Sequence, residues 1–464
     1  MRGMSLPRVA GAVVLCAALV GVGTVPAQAD DLSSGSWYYD RGHVQDAHDA
    51  GYTGQGVTIA VIDTQIDTDV PTLRKANVEV APHTPCYAPD GSALPPRSTD
   101  PATAAHATDV ASLIAGTGAA DAAQLPIRGV APGAKVLFYA VGGSITDDHT
   151  FECLDAAGKN QAGAPLAQAI DAAVAAHADI VTISQGTVVD GDITDALVRA
   201  YVHGVIVVAA LPNDTFAHDA DLLWPVGANG VVAVQAFDQD GNIAATDLGW
   251  KKTPSTSEHV KIAAPGLGIL QQGAGGSWDV QQLRGNTAMS AAVTSGFLAV
   301  LKSKYPKATG NQLLQTIIRN TGNSHHEPEW ARDFGYGAIS LTFMLKDDPR
   351  AYPDVNPFFE TAHPSGLPLP NLEQLTKAGG AIASPAPSAR PSTAATAPAA
   401  AQGRDDGAWM PWAIGGAAAL VLLVGAGAAI LVSASSRRRR QAASAAERSE
   451  GATDVAYVDE GVSR

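Results

Sequence analysis

The sequence predicts an α/β fold: a mostly parallel sheet with helices on both faces, a three-layer arrangement. Three observations predict it. Runs such as Val57-Thr58-Ile59-Ala60-Val61-Ile62 are apolar and β-branched without polar alternation, the pattern of strands buried on both sides. Helical patterns alternate with these runs through short links, as parallel βαβ connections require. The helical stretches carry apolar residues at helical spacing, so each has a face to pack on a sheet.

In chain order, residues 57–63 read as the first strand, and Asp63 stands at its C-terminal end, where sites in open α/β sheets form. Residues 84–105 are proline-rich and aperiodic and read as loop. A helix follows over 105–116, with Val110, Leu113 and Ile114 on one face and His106 at its entrance. The turn around Gly129-Val130-Ala131-Pro132 feeds a strand over 135–141. Pro165 opens a helix to Ala176, since proline suits the first helical position. Strands follow over 180–184 and 205–210, with a helix over 195–203 between them that stops at Gly204. Short strands are expected at 231–234 and 260–263. Helices follow over 288–305 and 310–320, and Gly335-Tyr336-Gly337 closes the folded part.

Both ends of the chain read differently. Arg2 and Arg8, an apolar stretch over 10–25 and Ala27-Gln28-Ala29 make residues 1–29 a signal peptide; a first membrane anchor is the alternative. Leu15 before Cys16 does not suit lipidation. Residues 30–371 form the folded domain. Residues 372–408 are expected to be an Ala/Pro/Ser/Thr-rich linker, too poor in apolar area to offset its ordering entropy. Residues 409–433 are apolar and long enough to span a bilayer as one transmembrane helix. Arg437 to Arg440 mark the cytoplasmic side, and 434–464 form a basic tail.

The net charge of −15 offers no basic surface for phosphates and excludes nucleic-acid binding. Cys86 and Cys153 are the cysteines left after the signal peptide. In an exported chain they read as one disulfide, with two buried thiols as the alternative. His203 sits at a helix end, and His325-His326-Glu327 reads as a solvated loop rather than a metal cluster. No cofactor or metal is indicated.

Four stretches carry chemistry. Asp63-Thr64-Gln65 follows a buried strand. His106-Ala107-Thr108 begins a helix. Asn213 follows Ala209-Ala210-Leu211-Pro212. Gly285-Asn286-Thr287-Ala288-Met289-Ser290 runs from a turn into a helix, whose free N–H groups and positive dipole end favour a developing oxyanion. In this order, with Ser184-Gln185-Gly186 and Ala263-Ala264-Pro265-Gly266, they resemble the subtilisin-like serine proteases. The resemblance implies Asp63 as the residue orienting the imidazole, His106 as general base and Asn213 as oxyanion donor. It makes Ser184, Gln185 and Gly186 a strand that pairs with bound peptide.

It also sets Ala288 at the nucleophile position, where a methyl group replaces the hydroxyl. Gln65, Ala107 and Asn286 each stand where the family has glycine. Ser290 lies roughly 200° around the helix from Ala288 and points elsewhere.

Within the family, the signal peptide, the 30–56 lead-in, the linker and the single anchor most resemble the mycosins. These are membrane-anchored proteins associated with type VII secretion. The resemblance implies a globular domain outside the cell membrane and the secretion complex as partner. The expected function is that of an inactive pseudoprotease. The alternatives are an active endopeptidase with an unrecognised nucleophile and a non-cleaving peptide-binding module.

Overall fold

The computed structural model describes residues 31–142, 144–145, 151–161, 163–188, 190–212, 223–247, 252–254, 258–360 and 369–379. The chain divides into two compact units, Met1–Pro391 and Ser392–Arg464, and all described residues lie in the first. The expected signal peptide, transmembrane helix and basic tail lie outside the described residues. Among the described residues, no helix is long and apolar enough to cross a membrane.

Among the described residues, seven strands build the central sheet: β1 (Thr58–Asp63), β2 (Val78–Val80), β3 (Lys135–Ala140), β4 (Ile180–Ile183), β5 (Ile206–Ala210), β6 (Val232–Phe237) and β7 (Ile262–Pro265). Their order across the sheet is β7-β6-β5-β4-β1-β3-β2, and each neighbouring pair is parallel. The main helices are α1 (Pro101–Ala115), α2 (Ala164–Ala175), α3 (Gly191–Val202), α4 (Thr287–Lys304) and α5 (Gly310–Arg319).

The alternation along β1 explains the three layers. Ile59 and Val61 join one apolar cluster with residues of α1, α4 and α5, including Val110, Val293 and Leu313. Ala60 and Ile62 join a second cluster with Leu166 and Ile170 of α2 and Ile193 and Leu197 of α3. Successive side chains of a strand point to opposite faces, so an all-apolar strand needs a helix layer on each side.

Helix α4 is buried from Thr287 through Leu301. Its residues are mostly small, which allows close approach on all sides. A Cβ at Gly296 would lie 2.6 Å from the Val130 Cβ. The Thr182 hydroxyl of β4 donates to Ser295 Oγ at 2.5 Å and ties the helix to the middle of the sheet.

Several expected boundaries move. Helix α1 starts at Pro101, inside the expected loop, because Asp100 caps it by accepting from the Ala102 N–H. His106 therefore lies in the second turn, not at the entrance. Helix α3 starts at Gly191 rather than Asp195, capped by Asp190. Strand β6 runs on to Phe237, and β7 begins at Ile262 rather than Val260. An antiparallel hairpin of Ile269–Gln272 and Gln281–Arg284 was not expected from the sequence.

Two further segments complete the body. The lead-in forms short helices, Trp37–Arg41 and Val44–Asp49. The Trp37 indole N–H donates to the Leu267 carbonyl at 3.0 Å. Leu372–Lys377 is a capped helix whose Leu375 packs with Val198 and Phe359. Ordered structure thus extends into the segment expected to be linker. Cys86 and Cys153 form a disulfide.

Candidate active site

The strand register assembles the site. Asp63 is the last residue of β1, and the residue before it, Ile62, pairs with Ile183 of β4, which pairs with Ala209 of β5. Asp63, Ser184 and the end of β5 therefore converge at the C-terminal edge of the sheet, where an open α/β fold places its ligands.

Asp63 is fully buried. Its Oδ1 accepts from the Thr64 N–H at 2.7 Å and lies 2.9 Å from His106 Nδ1. Oδ2 is buried without a protein partner among the described residues. The His106 side chain is 31% exposed, so one side of the pair reaches the surface and the other is enclosed. Burial lowers the imidazole's affinity for a proton. The charge and hydrogen bond of Asp63, with a smaller contribution from Asp109, outweigh it and hold the His106 pKa above its usual value.

Asp109 was not singled out by sequence. It lies three residues after His106 on α1, is buried, and accepts from the Gln272 N–H at 3.1 Å. Burial pushes its pKa up to about 8, against the opposing Gln272 bond and His106 charge. Its spacing from His106 was the available signal, but an acid on a helix ordinarily faces solvent.

Ala288 is the second residue of α4 and is 1% exposed. The two hydroxyls that flank it in the first turn of α4 are engaged. The Ser290 side chain is fully buried and its Oγ donates to the Thr287 carbonyl at 2.7 Å. Thr287 Oγ1 donates to the Leu211 carbonyl. Asn286 is the N-cap: its Oδ1 accepts from the Ala288 N–H at 3.0 Å and the Met289 N–H at 3.3 Å.

The other expected site residues are placed as follows. Gln185 is buried and its Nε2 donates to the Val141 carbonyl at 3.1 Å. The Ser184 Oγ is buried without a partner among the described residues. Gly186 is exposed, and a Cβ there would meet nothing within 4 Å. Asn213 lies outside the described residues. His325 Nδ1 pairs with Asp347 at 2.8 Å, and His326 Nε2 lies 2.8 Å from Thr321 Oγ1.

None of the three positions that lack the family glycine needs one. Gln65 and Ala107 have no left-handed φ, and Asn286 is extended at φ −161°. Gln65 instead donates from Nε2 to the Pro95 carbonyl at 2.8 Å, anchoring the proline-rich loop to the site. An imidazole held by a buried carboxylate can take and return a proton. At the start of α4, position 288 is a methyl, and the Thr287 and Ser290 hydroxyls are both hydrogen-bonded.

The minor extracellular protease Epr of Bacillus subtilis is 28% identical over 324 residues, covering 68% of this chain and 42% of that protein. Fervidolysin of Fervidobacterium pennivorans is 27% identical over 321 residues, covering 63% and 41%. The chain thus spans about two fifths of the length of these two relatives. The fervidolysin crystal structure aligns with a TM-score of 0.51 at 24% identity, over 69% of this chain and 47% of that one. MycP1 from Mycobacterium smegmatis aligns with a TM-score of 0.50 at 21% identity, over 72% and 89%. Another MycP1 structure, at TM-score 0.50 and 22% identity over 69% and 88%, is described as from the ESX-1 type VII secretion system. These structural likenesses show the fold. The model of the subtilase family matches residues 54–337, a span holding Asp63, His106 and Ala288, and the chain belongs to that family.

Proposed function

We propose that this chain is a mycosin-like pseudoprotease. In this reading the subtilase domain lies outside the cell membrane, anchored by residues 409–433. It has a structural or binding role in a type VII secretion complex. One feature supports the inactive reading: Ala288, the second residue of α4, falls where the family's motif carries its nucleophile, while Asp63 and His106 remain paired. A methyl cannot attack a carbonyl. Removing the nucleophile in subtilisin costs about 10⁶-fold in kcat, which leaves no useful protease. The alternative of an unrecognised nucleophile meets an obstacle in Ser290, whose hydroxyl is buried and bonded within its own helix.

A fluorophosphonate probe on the purified full chain tests this. The reading expects no covalent labelling. Labelling that is lost on Ser290→Ala or Ser184→Ala overturns it. The secretion partner is tested by purification from membranes: recovery without any channel component counts against that part.

A second reading keeps peptide binding without cleavage. Gly186 favours it, because its exposed backbone leaves room for a peptide strand alongside. Peptide binding that a Gly186→Trp change abolishes supports it; equal binding by both forms rejects it.

A further inference from the structure

The start of α4 is closed by the chain's own side chain. A helix N-terminus leaves N–H groups without intrahelical partners, and these attract negative charge. In α4 the Ala288 and Met289 N–H groups both donate to Asn286 Oδ1, at 3.0 and 3.3 Å. We propose that Asn286 is an internal occupant of the oxyanion position: it takes up the backbone donor that would otherwise meet a substrate carbonyl. The proposal rests on reading Ala288 as the nucleophile position. It adds a second, separate block. Restoring a hydroxyl at 288 would not by itself restore acyl transfer.

The surrounding backbone holds Asn286 in this pose. Gly285 has φ +153°, and a Cβ there would lie 2.0 Å from the Gly266 carbonyl oxygen. A Cβ at Gly266 would in turn lie 2.8 Å from the Asn286 carbonyl oxygen. The two glycines let the turn approach so closely that the Asn286 backbone has little freedom. Its side chain then caps the helix, as asparagine does well. Where the family has glycine, no side chain is present to reach these donors.

The test uses the full chain with Ala288→Ser, alone and combined with Asn286→Gly. Glycine is a tolerated cap, so the double variant keeps its fold. One oxyanion donor is worth about 10²–10³-fold in rate. The fluorophosphonate labelling rate is therefore expected to rise by about 10²-fold from the single to the double variant. Equal rates in the two, at any level, overturn the proposal. A second measurement needs no chemistry. Amide hydrogen exchange is expected to quicken at Ala288 and Met289 in Asn286→Gly, where the Oδ1 acceptor is removed, with other amides of α4 unchanged. Unchanged protection at both amides also overturns it. Labelling of the native chain, by contrast, would sink the inactive reading and leave the exchange comparison to decide the role of Asn286.

Discussion

His106 Nδ1 lies 2.9 Å from Asp63 Oδ1, joining a half-buried imidazole to a fully buried carboxylate. The pair satisfies a polar atom inside the sheet edge and keeps the ring in one orientation. Both roles persist without catalysis, so an intact pair is compatible with a chain that no longer cleaves peptides.

The pair makes a pH prediction. Because its folded pKa is raised, His106 contributes stability that is fully present below about pH 6.5 and is lost as pH rises through the raised value. Asp63→Asn keeps an acceptor for the Thr64 N–H but removes the charge. NMR titration is expected to place the His106 midpoint lower in Asp63→Asn than in the native chain. The stability difference between the two forms should shrink as pH rises past the native midpoint. An unchanged midpoint would mean that Asp63 is not what holds the proton.

Asp109 acts in the same direction for a different reason. Its carboxyl is favoured in the neutral form, with a folded pKa of about 8 against an ordinary 3.8. Between those values the folded chain binds more protons than the unfolded one, so stability falls as pH rises. Asp109→Asn keeps an acceptor for the Gln272 N–H and cannot ionise. Denaturant unfolding across pH 4 to 9 is expected to show a flatter profile for this variant. A profile parallel to the native one would place Asp109 in a more polar setting.

Gly296 sets two known effects against each other. Alanine in place of a mid-helix glycine ordinarily gains about 1 kcal/mol. Here the added methyl would sit 2.6 Å from the Val130 Cβ, and overpacking a tight core costs about 1–3 kcal/mol. The clash is the larger effect, so Gly296→Ala is expected to lower Tm. A raised Tm would show that α4 can shift away from the turn at Val130.

Much of this was legible in the sequence, and the misses have physical causes. The strands ending at Asp63 and Ala210 announced themselves because burial on both faces removes polar alternation. The start of α1 was hidden because Asp100-Pro101 looks like one more turn in a proline-rich stretch. It is instead a cap followed by a favoured first residue. The hairpin at 269–284 was missed because glycines and polar residues interrupt it, and its partner strand Gln281–Arg284 carries little apolar pattern. Asn286 read as a departure from a motif. Its side chain reaches the two amides that follow it, a contact that depends on the turn at Gly285 and not on the motif. Asp109 was hidden because burial depends on what α1 packs against, here the Gln272 strand.

The central claim is that no hydroxyl in this site serves as nucleophile. It is tested most directly by peptide hydrolysis with the purified full chain, measured beside its His106→Ala variant. The account predicts equal background rates for the two. Native turnover well above that background, abolished by His106→Ala, would contradict it.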